Sequence, residues 1–299
     1  MLIVVPSKGR AEWEKQVTLR ALSRLNAGGR TVLLVVPADE APRYEAQRKS
    51  RRVEVVPAPG DARGISATRA WILGDLAHQR GECRVLMVDD DMDFCWRPDM
   101  EDEKLLMIED PNMFEDMLAT LEGWLKEGFA HVGVSARQNN HTFPQPSGSD
   151  HDARTGKPRE YRDATRMMNM YAYDTQILRK LKIELGRLQV MEDFDLTLQL
   201  LRRGYPNRVS YRYCWNQRGS GKVGGCSDYR TAEMQADAAR RLAELHAPFV
   251  TLKTKKSKDT SDSWQGMKER TDVNIQWREA YESSGKTVDP GMKKTRRVS

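Results

Sequence analysis

Short, wholly apolar runs alternate with amphipathic stretches along the first ninety residues. Leu2–Val5 is apolar at every position and is stopped by Pro6, which predicts a buried parallel strand. Val17, Leu19, Leu22 and Leu25 recur at helical spacing within Trp13–Leu25, and Gly28-Gly29 ends that helix. Thr31–Val36 and Val53–Val56 are further buried strands, each stopped by proline, with a helix over Ala41–Ser50 between them. Ser66–Gln79 is a helix that Ser66 can cap, and Arg84–Val88 is a fourth strand. Four strand–helix alternations with short connections predict a parallel α/β sheet with right-handed crossovers.

Downstream the pattern loosens. Pro111–Gly128 reads as a helix with Met113, Met117, Leu118, Leu121 and Leu125 on one face, followed by a strand over His131–Ala136. Arg137–Thr165 is a polar stretch long enough to be a binding loop. Arg166–Tyr173 and Asn207–Trp215 read as strands around a helix over Asp193–Arg203, and Arg230–His246 is amphipathic. Gln217–Gly225 is a Gly-rich cationic loop. Past Lys253 the chain is polar and reads as loosely attached. A catalytic domain over 1–248 and a basic extension over 249–299 are expected.

Charge sharpens that division. The 299 residues carry a net charge of +6. From Pro248 to Ser299 there are 12 Lys/Arg against 7 Asp/Glu, so nearly all of the excess lies in the extension. A basic extension on a near-neutral body points to a polyanion as its partner. Its clusters are Lys253, Lys255, Lys256 and Lys258, then Lys293, Lys294, Arg296 and Arg297; a solubilising tail is the plainer alternative. Cys83, Cys95, Cys214 and Cys226 have no zinc spacing and fit reduced thiols in a cytoplasmic protein. No signal-peptide pattern or membrane-length apolar stretch occurs, so no membrane partner is expected.

Val85–Val88 runs directly into Asp89-Asp90-Asp91, with Asp93 beyond. Adjacent carboxylates at a strand end repel. A hard divalent cation, Mn²⁺ or Mg²⁺, would offset that repulsion, and strand C-termini are where α/β folds place ligands. In extended chain Asp89, Asp91 and Asp93 would share one side and Asp90 the other. A solvated acidic turn is the bland alternative. Gly64 and Arg69, at the start of the helix that precedes this strand, are suited to phosphate, because helix N-termini expose N–H groups.

The βα units opening on "VVPSKGR", the Asp-x-Asp strand end and a late Glu192-Asp193 pair together resemble nucleotide-sugar glycosyltransferases of the GT-A fold: α/β, Rossmann-like, with a mixed, mostly parallel sheet. "GISATRAWIL", "VLMVDDDMDF" and "MEDFDLTLQLLRRGYPN" narrow the resemblance to the phage TET-associated glycosyltransferases. It implies a UDP-sugar donor and, as acceptor, a hydroxymethylated pyrimidine in DNA. It implies that Asp89 and Asp91 hold the metal, Asp91 directly and Asp89 nearer the ribose with Asp90 beside it, and that Pro6, Ser7, Lys8 and Arg10 meet the nucleotide. Asp193 would be the base of an inverting transfer, with Glu192 its substitute. His246 is the late histidine that such enzymes can add to the metal, although it fits a structural histidine at a helix end better. Trp264 and Trp277 can stack on bases or dock onto the body. Rival readings keep the fold with a protein, glycan or lipid acceptor, or make it a non-catalytic DNA-binding scaffold. The sugar and the oligomeric state are left open.

Overall fold

The computed structural model describes residues 1–102, 104–137, 156, 158–217, 229–256 and 269–287. The apolar runs of the first half become β1 (Leu2–Pro6), β2 (Val32–Pro37), β3 (Val53–Ala58) and β4 (Arg84–Val88). They pair in parallel in the order β3-β2-β1-β4, with Ile3 opposite Val32 and Leu2 opposite Val85. Ile3, Val4 and Val5 are wholly buried because both faces of this sheet are covered. Ile3 and Val5 face the layer of α1 (Val17–Arg24), while Val4 faces the opposite layer.

α2 (Ala41–Gln47) joins β2 to β3, and α3 (Gly64–Trp71) continues through Ile72–Leu76 and Ala77–Gln79 as one helical run. That run starts earlier than predicted. Arg63 occupies the N-cap position, Gly64 takes a left-handed φ of +81° that favours glycine, and Ser66 is buried one turn in. Ser66 is therefore not the cap.

β5 (Met92–Trp96) and β6 (Leu106–Met107) follow, then α4 (Pro111–Lys126), whose first turn is capped by Asp110 through the Asn112 N–H at 2.9 Å. β7 (His131–Ala136), β8 (Tyr161–Asp163), β9 (Met170–Asp174) and β10 (Arg208–Gln217) complete the sheet. Its order is β3-β2-β1-β4-β9-β7-β10-β5-β6, with β8 on β10. Seven of these ten strands run one way; β5, β8 and β9 run against them. The fold is α/β, mixed and mostly parallel. β9 begins four residues later than its apolar pattern predicts, and β5, hidden behind the acidic residues, had no signal of its own.

α5 (Thr175–Lys180) and α6 (Glu192–Arg202) lie before β10, and α7 (Ala232–Leu245) after it. The described residues past Lys253 fold against the body, where a loosely attached tail was expected. β11 (Val250–Lys256) and β12 (Glu269–Ile275) form an antiparallel hairpin, followed by α8 (Trp277–Glu282). Val250, Val273 and Ala280 are buried with Val190, Leu198 and Leu242 in one apolar cluster, and Lys286 Nζ donates to the Gly204 carbonyl at 2.8 Å. Among the described residues, no helix is long and apolar enough to cross a membrane.

Candidate active site

The three aspartates do not extend β4. They form a tight turn between β4 and β5, and α1 clamps it: the Thr18 N–H donates to the Asp90 carbonyl at 3.1 Å, Thr18 Oγ1 donates to the Asp89 carbonyl, and the Met92 N–H donates back to Thr18 Oγ1 at 2.8 Å. The turn splits the carboxylates. Asp90 points inward, 7% exposed, and accepts from Ser7 Oγ and the Arg10 guanidinium. Asp93 leaves on β5 and pairs with Arg24 at 3.2 Å, so it does not share a side with Asp89 and Asp91. Asp91 faces the cleft, where its Oδ2 accepts from Gln217 Nε2 at 2.8 Å and lies 3.4 Å from Arg10. Asp91 Oδ1 is buried with no hydrogen-bond partner. An orphaned carboxylate oxygen is costly unless something positive meets it.

Arg69 is the keystone beside this turn. Its guanidinium donates to Asp89 through one nitrogen and to Glu192 through another, and its cation lies 5.4 Å from the centre of the Tyr171 ring. Arg69, expected to meet phosphate, lines the cleft and has its charge engaged by these two carboxylates. It also draws the first turn of α6 to within one guanidinium of the acidic turn. Met191, just before α6, adopts a left-handed φ of +63°, a strained conformation that turns Glu192 and Asp193 toward the cleft. Asp193 Oδ1 accepts from the Phe194 N–H at 2.9 Å. Burial pushes the Asp193 carboxyl up to about 7, the Glu192 charge adds to the rise, and Arg69 opposes it. Burial also raises Asp89 against the pull of Arg69.

These groups line one cleft of about 1110 Å³. Pro6, Ser7, Lys8, Arg10 and Gly64 line it too. The Ser7 hydroxyl is engaged with Asp90 and with Tyr44 at 2.9 Å, so it organises the floor. Tyr229 OH accepts from the Ile65 N–H at 2.9 Å, closing part of the helix start expected to meet phosphate. Lys8 is exposed, 5.4 Å over the Tyr229 ring.

His246 does not join the cleft. It is 2% exposed, and its Nε2 lies 2.7 Å from Asp195 on the inner side of α6, with Arg187 and Arg202 each 3.4 Å from the ring. The metal-ligand expectation for His246 is thus corrected: it sits in a buried structural hydrogen bond with Asp195, away from the cleft. Most of the polar stretch 137–165, the Gly-rich loop 218–225, Lys258, Trp264 and the cluster at 293–297 lie outside the described residues. Sequence reasoning missed Thr18 and Tyr229, which carry no motif, and named Gln217 only as the start of the Gly-rich loop. It also missed the hairpin wall of the cleft, signalled only by the alternation in VTLKTKK.

The donor set suits a hard divalent cation held partly by a ligand. Asp91 Oδ1 is available, and no group of three or more His, Cys, Asp and Glu side chains converges among the described residues. Mg²⁺-type sites of this kind take one or two carboxylates and complete their shell with substrate phosphate and water.

The sequence profile of the TET-associated glycosyltransferases matches residues 1–225. No curated protein matches. A mannose-1-phosphate geranyltransferase from Thermus thermophilus is 14% identical, with a TM-score of 0.39 over 72% of this chain and 75% of that one. A mannosyltransferase from Pyrobaculum calidifontis, in complex with GDP-Man and Mn²⁺, is 14% identical with a TM-score of 0.43; the match spans 70% of this chain and 56% of that chain. A CMP:2-keto-3-deoxy-manno-octonic acid synthetase complexed with CTP is 13% identical with a TM-score of 0.38, over 81% and 98%.

Proposed function

The chain belongs to the TET-associated glycosyltransferase family, and from that premise we propose that it moves a sugar from a UDP-sugar to the hydroxymethyl group of a modified pyrimidine in DNA. The observation that carries this reading is the pairing, across one cleft, of an acidic turn with an orphaned carboxylate oxygen and a buried carboxylate raised to about 7. A group with that affinity for protons is suited to general-base work near neutrality.

In the proposed reaction the acceptor hydroxyl gives its proton to Asp193, and its oxygen attacks the anomeric carbon. The bond from that carbon to the diphosphate oxygen breaks, UDP leaves with the electron pair, and the sugar is inverted. Asp91, with Asp89 beside it, would hold a Mn²⁺ or Mg²⁺ ion whose Lewis acidity stabilises the departing diphosphate. The Arg69 guanidinium holds the Glu192 carboxylate in place, so that the Asp193 carboxyl beside it faces the acceptor side. Lys8 and Arg10 lie where the nucleotide would enter beside Pro6. A pyrimidine within a duplex must be extruded to reach this cleft.

Mass spectrometry of nucleosides, after incubation of hydroxymethylated DNA with the protein, Mn²⁺ and a panel of UDP-sugars, tests the reading. A hexosyl or N-acetylhexosaminyl adduct on the hydroxymethylpyrimidine is expected. UDP release without an adduct on DNA would assign the acceptor to another class.

A further inference from the structure

The β11–β12 hairpin has two unlike faces. Val250, Val273 and Ile275 turn into the apolar cluster that includes Val190, Met191, Leu198 and Leu242, so the hairpin rests on α7 and shares this cluster with α6, the helix that carries Asp193. Lys253 is opposite Asp272 and Lys255 is opposite Arg270 in the register. Alternation puts these four on the other face, and all four line the cleft. Asp272 pairs with Arg270 at 3.6 Å. Lys253 and Lys255 are exposed, and neither forms an ion pair among the described residues. The hairpin therefore shows the cleft a net positive face.

The chain then enters α8 at Trp277. Its half-buried ring meets Phe194 edge-on, with centroids 5.5 Å apart and an interplanar angle of 77°. The Arg166 cation lies 5.2 Å over the same Phe194 ring. Phe194 follows Asp193 in the chain, and Arg166, Phe194 and Trp277 all line the cleft. An aromatic surface beside the base and a cationic strip next to it are the two elements that grip single-stranded nucleic acid: rings stack on bases, and ammonium groups meet phosphates.

We propose that this hairpin and the Arg166–Phe194–Trp277 stack are the acceptor wall of the cleft. The displaced pyrimidine stacks on Trp277 with its hydroxymethyl group toward Asp193, and Lys253 and Lys255 hold the flanking phosphates. The occupant is one DNA strand, because the wall combines an aromatic platform with paired cations and adjoins the base. The inference rests on the DNA reading above and adds where and how the strand is held. It also gives the C-terminal elements a catalytic reason to be folded against α6, where a plain basic tail would need none.

The test compares wild type, Lys253→Gln/Lys255→Gln and Trp277→Leu on a single-stranded hydroxymethylated oligonucleotide. Affinity is measured over a range of salt concentrations, with UDP affinity and the KM and kcat for DNA on the same preparations. Removing two phosphate contacts should flatten the slope of log K against log salt by about 1.4. It should also raise KM for DNA more than it lowers kcat. Trp277→Leu should weaken DNA binding by about 5- to 150-fold. UDP affinity should hold its wild-type value in both variants. If Trp277→Leu disturbs folding, the double lysine variant, altered only at exposed positions, still decides. Unchanged slope and affinity in proteins that still glycosylate DNA would overturn the wall and leave the function standing. Loss of UDP affinity with DNA binding intact would also overturn it, assigning the face to the donor. Failure of wild type to bind or modify DNA would overturn both.

Discussion

Arg69→Met tests the keystone. The substitution keeps most of the side chain's length and apolar stem and removes the guanidinium that bridges Asp89 and Glu192. The Arg69 and Glu192 side chains are 10% and 11% exposed and Asp89 is 27% exposed, so water can replace the lost cation only on the Asp89 side. Breaking a buried pair from one partner costs about 3–5 kcal/mol. With an unfolding entropy of about 2.1 cal/mol/K per residue, that is a fall in Tm of roughly 5–8 °C for two-state melting of a chain this long. The loss should depend on pH. Asp89 and Asp193 already sit above their ordinary carboxylate range through burial, and Arg69 pulls both down. Without Arg69 both rise further. A carboxyl raised in the folded state contributes stability that is present at low pH and lost as pH rises through its folded value. The gap between wild type and variant should therefore be smallest near pH 5 and largest near pH 8. Circular-dichroism melts at those two pH values measure it, with Arg69→Lys expected in between, since an ammonium cannot fork to two carboxylates. An equal drop in Tm at both pH values would show that the loss is packing, and the electrostatic account would be refuted.

Two further substitutions separate donor from acceptor chemistry. Asp193→Asn should cut turnover by about 10²–10⁴-fold with UDP affinity unchanged. It should also raise Tm at pH 8, because the carboxylate it removes, titrating at about 7, costs stability as pH rises through that value; lower UDP affinity with normal turnover would instead make Asp193 a donor residue. Wild-type kcat should rise with pH along an acid limb near 7, read from a pH–rate profile, and that limb should vanish in the Asn variant. Asp91→Ala should abolish Mn²⁺-dependent UDP binding, measured by calorimetry, while Tm stays level or rises as a repelling carboxylate leaves the turn; unchanged Mn²⁺-dependent affinity would remove Asp91 from the metal site.

What the sequence determined by itself was set locally. Apolar runs without alternation can be satisfied only by burial on both faces, so Leu2–Pro6, Val32–Pro37, Val53–Ala58 and Arg84–Val88 were legible as parallel strands, and the proline or acidic stops marked their C-terminal ends. Those ends are where the cleft opens, and so the neighbourhood of Asp89 and Asp91 was legible too, whereas Glu192 and Asp193 were singled out only by the family resemblance. The role of each carboxylate was not, because it depends on partners far along the chain. Asp90 turns inward only because Ser7 and Arg10, some 80 residues away, meet it. Arg69 is engaged by Glu192, which α6 returns to it from 123 residues downstream. His246 is claimed by Asp195, 51 residues before it. The C-terminal hairpin shows the same limit: Lys-rich VTLKTKK reads as solvated tail until Val250 and Val273 find the apolar cluster around α6 and α7, which no local pattern announces. Burial and hydrogen bonding between distant segments are properties of the tertiary structure, and those two forces decided which charges are structural and which still face the cleft.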